Sequence, residues 1–277
     1  DIRNISDIIE AVSGTDAVIH LAAIVGDPAS QVDPTRTLEV NYLSTKIIAE
    51  ICKFNQMNKF LFASTCSIYG TGKNSSKRLR EDSYLNPVSL YAETKLKSEE
   101  AILSLADDNF APTIFRFATL YGVSPRMRFD LVINLLTAKA IQEKKIEIFG
   151  GEQWRPNVEV GEAAEACVKW LESPISKTGN EIFNIGSNRQ NYKIIQIGKI
   201  IKKAVPDLTI EIKKDAKDPR NYNVCFDKIQ KIMGFSPQKT VESSVLEIID
   251  FIEGTKNKNF ITSKYDNYKF WLEHKLS

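Results

Sequence analysis

The chain has 277 residues, 43% hydrophobic and 26% charged, enough for one large domain or a large domain with a smaller partner. With 37 basic against 35 acidic residues, a net charge of +2 gives no general pull toward nucleic acid or an anionic membrane. Cys52, Cys66, Cys167 and Cys225 lack metal-ligand spacing and read as reduced thiols of a cytoplasmic protein, and no apolar run is long enough for a membrane helix.

From the amino end, the run 16–23 is apolar almost throughout, as a parallel strand covered on both faces should be, with His20 a satisfied core residue rather than a catalyst. Helical spacing over 38–54 follows, then a second buried strand at 59–64 and a helix over 89–106. A third strand at 112–117 precedes a helix at 129–144. Beyond it come short strands at 146–149, 182–186 and 209–212, with helices at 162–172, 194–205, 227–233 and 241–252. Strands alternating with helices predict an α/β fold with a doubly wound parallel sheet. The aromatic tail, with Phe260, Tyr265, Tyr268, Phe270 and Trp271, reads as cover for a hydrophobic surface.

Chemistry gathers at two places. Thr65 closes the second strand, while Tyr91 and Lys95 stand four apart near a helix start and so share one face. An ammonium beside a phenol favours phenolate, which would bring the tyrosine toward the working range of a general base. Alone, that spacing is weak and is more often a solvated surface pair. The arginines Arg126, Arg128, Arg155 and Arg220, taken singly, also read as solvated surface residues.

Taken together the motifs say more. Ser64-Thr65-Cys66-Ser67-Ile68-Tyr69-Gly70 followed by Pro87-Val88-Ser89-Leu90-Tyr91 and Lys95 resembles the active-site stretch of the extended short-chain dehydrogenase/reductase family, the nucleotide-sugar epimerases and dehydratases. Residues 116–122, 148–156, Asn184-Ile185-Gly186 and Asp218-Pro219-Arg220 resemble later family segments in the right order, so the likeness runs to about residue 250. The resemblance implies a Rossmann-type fold, NAD as cofactor, a nucleoside-diphosphate sugar as substrate and a homodimer. It divides the chain into a partial NAD-binding domain, 1–122, and a mainly substrate-binding region, 123–277, with exchange of a strand and helix between them. By the same resemblance Tyr91 is the base, Lys95 binds the nicotinamide ribose and tunes Tyr91, and Thr65 is the catalytic hydroxyl. Asp1 and Ile2 match the pair that contacts adenine, and Leu21, Ala22 and Ala23 line the cofactor. Arg155 and Arg220 match arginines that grip the diphosphate, a task suited to a planar guanidinium fork. Thr119 and Arg128 fall beside the substrate, whereas Asn41 falls on a helix asparagine that is usually structural.

Departures from the family pattern carry expectations too. No G-x-x-G-x-x-G follows any strand, although family members open on such a turn to receive the pyrophosphate. The reading is that an N-terminal stretch of about 50 residues is missing, since one βαβ unit takes roughly 30 or more. An exposed sheet edge and poor NAD binding are expected of the chain as it stands. Cys66 and Ser67 occupy positions where sugar dehydratases carry an Asp-Glu pair, which disfavours dehydration. Thr119 replaces a common Asn, and Glu159 and Glu162 replace a His and an Asp. The expected activity is NAD-dependent epimerisation of a nucleoside-diphosphate sugar, and no metal is expected. Reduction, decarboxylation or dehydration on the same scaffold, and a non-catalytic sugar-nucleotide-binding role, are the alternatives.

Overall fold

The computed structural model describes residues 1–71, 77–213, 218–255, 259–260 and 262–274. In chain order its strands are β1 (Val18–His20), β2 (Phe60–Thr65), β3 (Thr113–Phe117), β4 (Thr119–Tyr121), β5 (Lys145–Phe149), β6 (Trp154–Glu159), β7 (Glu181–Ile185), β8 (Asn191–Lys193) and β9 (Thr209–Lys213). The order β1-β2-β3-β7 forms a parallel sheet in which Ile19 stands opposite Leu61, Thr65 opposite Phe117, and Phe117 opposite Ile185. All four strands run the same way, so His20, Thr65, Phe117 and Ile185 end along one edge.

The apolar runs explain this sheet. Side chains alternate across a strand, and here both faces are covered. Phe60, Phe62 and Ile114 pack on one face with Ile8, Ile48 and Ile102, while Leu61, Phe115 and Phe183 pack on the other with Trp170 and Ile229. This is the expected doubly wound, Rossmann-type arrangement. A third core gathers Ile133, Ile146, Ile148, Ile197, Ile201, Val245 and Phe260 around the parallel pair β5–β9. Phe260 is fully buried there against Phe129 and Tyr265 packs on the same core, whereas Tyr268 and Phe270 of the aromatic tail are exposed. β7 returns to the first sheet although it lies beyond residue 122.

Several elements differ from the pattern-based reading. The strand expected over 16–23 is only Val18–His20, and Leu21 and Ala22 are exposed. β1 pairs on one side, with β2, so an apolar sequence was not a sign of burial at every position. The helix expected from 38 begins at Pro34, capped by the Asp33 side chain accepting from Arg36 N at 2.9 Å. It passes through one π turn, Glu39–Leu43, and resumes as Ser44–Phe54. β6, which contains Pro156, was not foreseen. Its pairing with β4 starts only at Asn157, so the missing N–H of Pro156 removes nothing from that ladder. β4, β8 and the helices Ile5–Val12, Asp27–Val32 and Asn267–Glu273 are further additions.

The helix Leu90–Ser104 is tied to the sheet by a buried ion pair. Arg116 of β3 donates from Nη2 to Glu99 Oε2 at 2.7 Å, and both side chains are at most 3% exposed. Ser64 Oγ donates to Glu99 Oε1, and Arg116 Nη1 donates to Tyr69 Oη at 3.1 Å and Glu81 O at 2.8 Å. Removing one partner strands the other charge in the core. Glu99→Ala should therefore lower the urea-derived unfolding free energy by about 3–5 kcal/mol, and adding Arg116→Met should recover most of that loss. Equal loss in the single and double variants would show that packing, not the stranded charge, dominates.

Candidate active site

A cavity of about 730 Å³ opens at the carboxyl ends of β2 and β3, where ligands bind in open α/β sheets. Thr65, Tyr91 and Lys95 line it together with Thr119, Arg128, Arg155 and Arg220. Thr65 is placed by the end of β2, and its side chain accepts from Ser67 N at 3.1 Å, starting the turn Cys66–Tyr69. Ser89 caps the next helix, accepting from Ala92 N at 3.2 Å, which sets Tyr91 in the first turn. Tyr91 is half-buried and lines the cavity beside Thr65. One turn on, Lys95 is 2% exposed, donates from Nζ to Ala63 O at 2.8 Å, and lies 4.6 Å from the Phe62 ring centre.

Burial acts on both members of the Tyr91–Lys95 pair. Burial drives the Lys95 ammonium down to about 7, against the opposing pull of Glu99. Burial also pushes the Tyr91 phenol up to about 12. The charge of Arg128 and the Thr65 hydroxyl work against that rise, while Asp27 and Tyr222 add to it. Desolvation is the largest influence on the phenol, and the Lys95 ammonium is bonded to Ala63 O.

On the opposite wall each arginine is held by a carboxylate. Arg155 Nη2 stands 2.7 Å from Asp218 Oδ2 at an angle that makes no hydrogen bond, and its Nη1 donates to Trp154 O at 2.7 Å. Arg220 donates to Asp218 from Nε at 2.9 Å and Nη2 at 2.7 Å, and its Nη1 pairs with Asp27 Oδ2 at 2.7 Å. Burial would raise the Asp218 carboxyl, but hydrogen bonds from Arg220 and the charge of Arg155 win and hold it at about 2. Arg128 grips Asp130 through Nε at 3.0 Å and Nη2 at 2.7 Å.

The residues expected at the cofactor are split. Leu21 borders the large cavity and also a second one of about 540 Å³ beside β1, which Asp1, Ile2 and Ala22 line with Ile8 and Val12. Ala23 lines neither cavity. Asn41 is fully buried and clasps Ile24, accepting from its N at 2.7 Å and donating to its O at 2.9 Å, a structural role. His20 lies 2.8 Å from Thr45 Oγ1, and burial followed by the Lys95 charge lowers its imidazole to about 3, so it stays neutral in the core. Cys66 is 1% exposed; burial raises its thiol, and its Sγ donates to Arg116 O at 3.2 Å. Ser67 also lines the cavity, as do Asp27, Asp130 and Tyr222, which were not singled out from sequence. Gly26-Asp27-Pro28 is the signal for Asp27, a helix start at a strand end. Among the described residues no cluster of three or more His, Cys, Asp or Glu could hold a metal, and no helix is long and apolar enough to cross a membrane.

The family described as NAD dependent epimerase/dehydratase matches residues 1–186. The chain belongs to that family. An uncharacterised UDP-glucose epimerase of Bacillus subtilis (strain 168) is 26% identical over 257 residues, covering 89% of this chain and 77% of that protein. A UDP-glucuronate 4-epimerase of Thermodesulfobacterium geofontis is 28% identical over 248 residues, covering 85% and 72%. Among solved structures, UDP-glucuronic acid 4-epimerase from Bacillus cereus with UDP-glucuronic acid and NAD superposes with a TM-score of 0.81. It is 27% identical, and the match covers 91% of this chain and 80% of that one.

NAD is the cofactor of the epimerase/dehydratase family, and the cavity suits it. Lys95 carries three N–H donors and uses one of them on Ala63 O, leaving donors beside Tyr91 for ribose hydroxyls. The Lys95 value also sets a stability test. Its folded value of about 7 lies below the ordinary 10.5, so between those pH values the unfolded chain binds more protons and stability rises with pH. Lys95→Met should raise the melting midpoint most at pH below 7, with the gap closing toward pH 10.5. A pH-independent gap in thermal melts would mean Lys95 does not titrate in that window.

Proposed function

We propose that the protein epimerises a nucleoside-diphosphate sugar at a ring hydroxyl with NAD as cofactor. The observation that carries the proposal is the meeting of Thr65, Tyr91 and Lys95 with Arg155 and Arg220 in one cavity. In this reading the two arginines take the diphosphate through paired, charge-assisted bonds, with Arg128 and Thr119 beside the sugar. Thr65 Oγ1 holds the reacting hydroxyl, Tyr91 Oη accepts its proton, and Lys95 binds the ribose of the cofactor with Leu21, Ala22 and Ala23 alongside and Asp1 and Ile2 at the adenine. NAD, when bound, supplies hydride acceptance from the sugar carbon and its return. Tyr91 then gives the proton back to the oxygen of the inverted centre, so no net oxidation occurs. Tyr91 must be deprotonated to act; burial opposes this, while the Arg128 charge and the Thr65 hydroxyl favour it.

Dehydration is less well supported. Water loss needs an acid and a base beside the sugar, whereas Cys66 is a buried thiol raised by burial and Ser67 Oγ lies 3.2 Å from Tyr222 Oη. The same reading makes the enzyme a cytoplasmic homodimer. It is supported by four free thiols and by Leu43 and Phe54, exposed apolar residues on the segment packed against the Tyr91 helix.

Interconversion of UDP-glucose with UDP-galactose, and of the corresponding glucuronates, followed by chromatography, tests the proposal. Tyr91→Phe should cut turnover by about 10²- to 10⁴-fold, the usual contribution of a general acid–base, with an unchanged melting midpoint. Full turnover in that variant would remove Tyr91 from the base role. Stoichiometric consumption of NADH by the wild type would replace epimerisation with reduction.

A further inference from the structure

Asp27 joins the two walls of the cavity. It opens the helix Asp27–Val32 behind Gly26, whose φ of 103° suits glycine and whose Cβ position lies 3.5 Å from Arg128 Nη2. One carboxylate oxygen, Oδ1, accepts from Ser89 Oγ at 2.7 Å, and Ser89 is the cap of the helix that carries Tyr91. The other, Oδ2, pairs with Arg220 Nη1 at 2.7 Å. Since Asp218 occupies Nε and Nη2 of Arg220, Nη1 is the arm of that guanidinium held from across the cavity.

We infer that Asp27 is a positioning residue that competes with the substrate diphosphate for Arg220 and ties the occupancy of that arginine to the capped start of the Tyr91 helix. The inference rests on the diphosphate reading of Arg220 given above. A phosphate oxygen that reaches Nη1 must take it from Asp27 or share it. Arg220 stays in place as this happens because its two bonds to Asp218 are unaffected. Asp27 then keeps Ser89 as its partner and stands as a carboxylate facing the tyrosine. The charged and titratable groups around Tyr91 are Arg128, Asp27 and Tyr222, with Lys95 one turn along its own helix, so a change at Asp27 is felt at the phenol.

A neutral isostere separates these effects. Asp27→Asn in the full chain removes the competitor while keeping an acceptor for Ser89. UDP should bind about fivefold more tightly by calorimetry, the scale of one partly exposed ion pair. The acidic limb of the turnover–pH profile with UDP-glucose should move to lower pH, because the negative charge that raises the phenol is gone. Asp27→Ala should show the same tighter UDP binding together with a lower kcat, since Ser89 loses its acceptor. Unchanged or weaker UDP binding in both variants, with melting midpoints within a few degrees of wild type, would overturn the inference. If the wild type binds UDP but turns over no sugar nucleotide, the proposed function fails, and the UDP comparison still decides the role of Asp27.

Discussion

The buried pair of Glu99 and Arg116 fixes the distance between the two parts on which the site depends. Tyr91, Lys95 and Glu99 follow one another at four-residue spacing along one helix face. Glu99 receives Ser64, the neighbour of Thr65, and Arg116, one residue before the cavity-lining Phe117. Charges withdrawn from water are costly and are tolerated where geometry and additional hydrogen bonds are good. Here Arg116 is further satisfied by Tyr69 and Glu81, so the helix has one height at which all of these bonds close. At that height Tyr91 reaches Thr65 and Lys95 reaches Ala63.

The cavity is balanced rather than simply basic. Lysine and arginines supply its cations, and Asp27, Asp130 and Asp218 each hold an arginine. An aspartate–arginine pair keeps a guanidinium in a defined orientation before any anion arrives, which reduces the ordering needed on binding. Family membership sets the scaffold and the cofactor. The placement of these pairs belongs to this chain, and fold alone does not choose among the chemistries that such a scaffold supports.

Much of this was legible in the residues. The runs that became β2, β3 and β7 are apolar on both faces, and the helix of Tyr91 was expected over 89–106 and runs Leu90–Ser104. Thr65, Tyr91, Arg128, Arg155 and Arg220 do come together. What sequence could not supply was depth. The Tyr91–Lys95 spacing suggested a phenol pulled down by an ammonium, yet burial acts on both groups and moves them toward neutrality. β6 escaped the reading because its pairing with β4 and β8 is a matter of tertiary register. Asp27 was not singled out, since its partners Ser89 and Arg220 lie 62 residues onward and in a distant segment of the chain.

The π turn at Glu39–Leu43 has a consequence for how this helix tolerates change in length. Ser44 N donates to Glu39 O, one residue farther back than an α-helix allows, so the turn carries a residue in excess. Deleting it would give an uninterrupted α-helix and satisfy every local backbone bond. Each residue of an α-helix advances the direction of its side chain by about 100°. Either the segment after the deletion or the segment before it would therefore be rotated by roughly that angle. Ile48, Ala49 and Cys52 would leave the core, or Asn41 would let go of Ile24. An irregularity in one helix thus keeps two faces in phase, one serving the core and the other the loop that leads to Gly26 and Asp27.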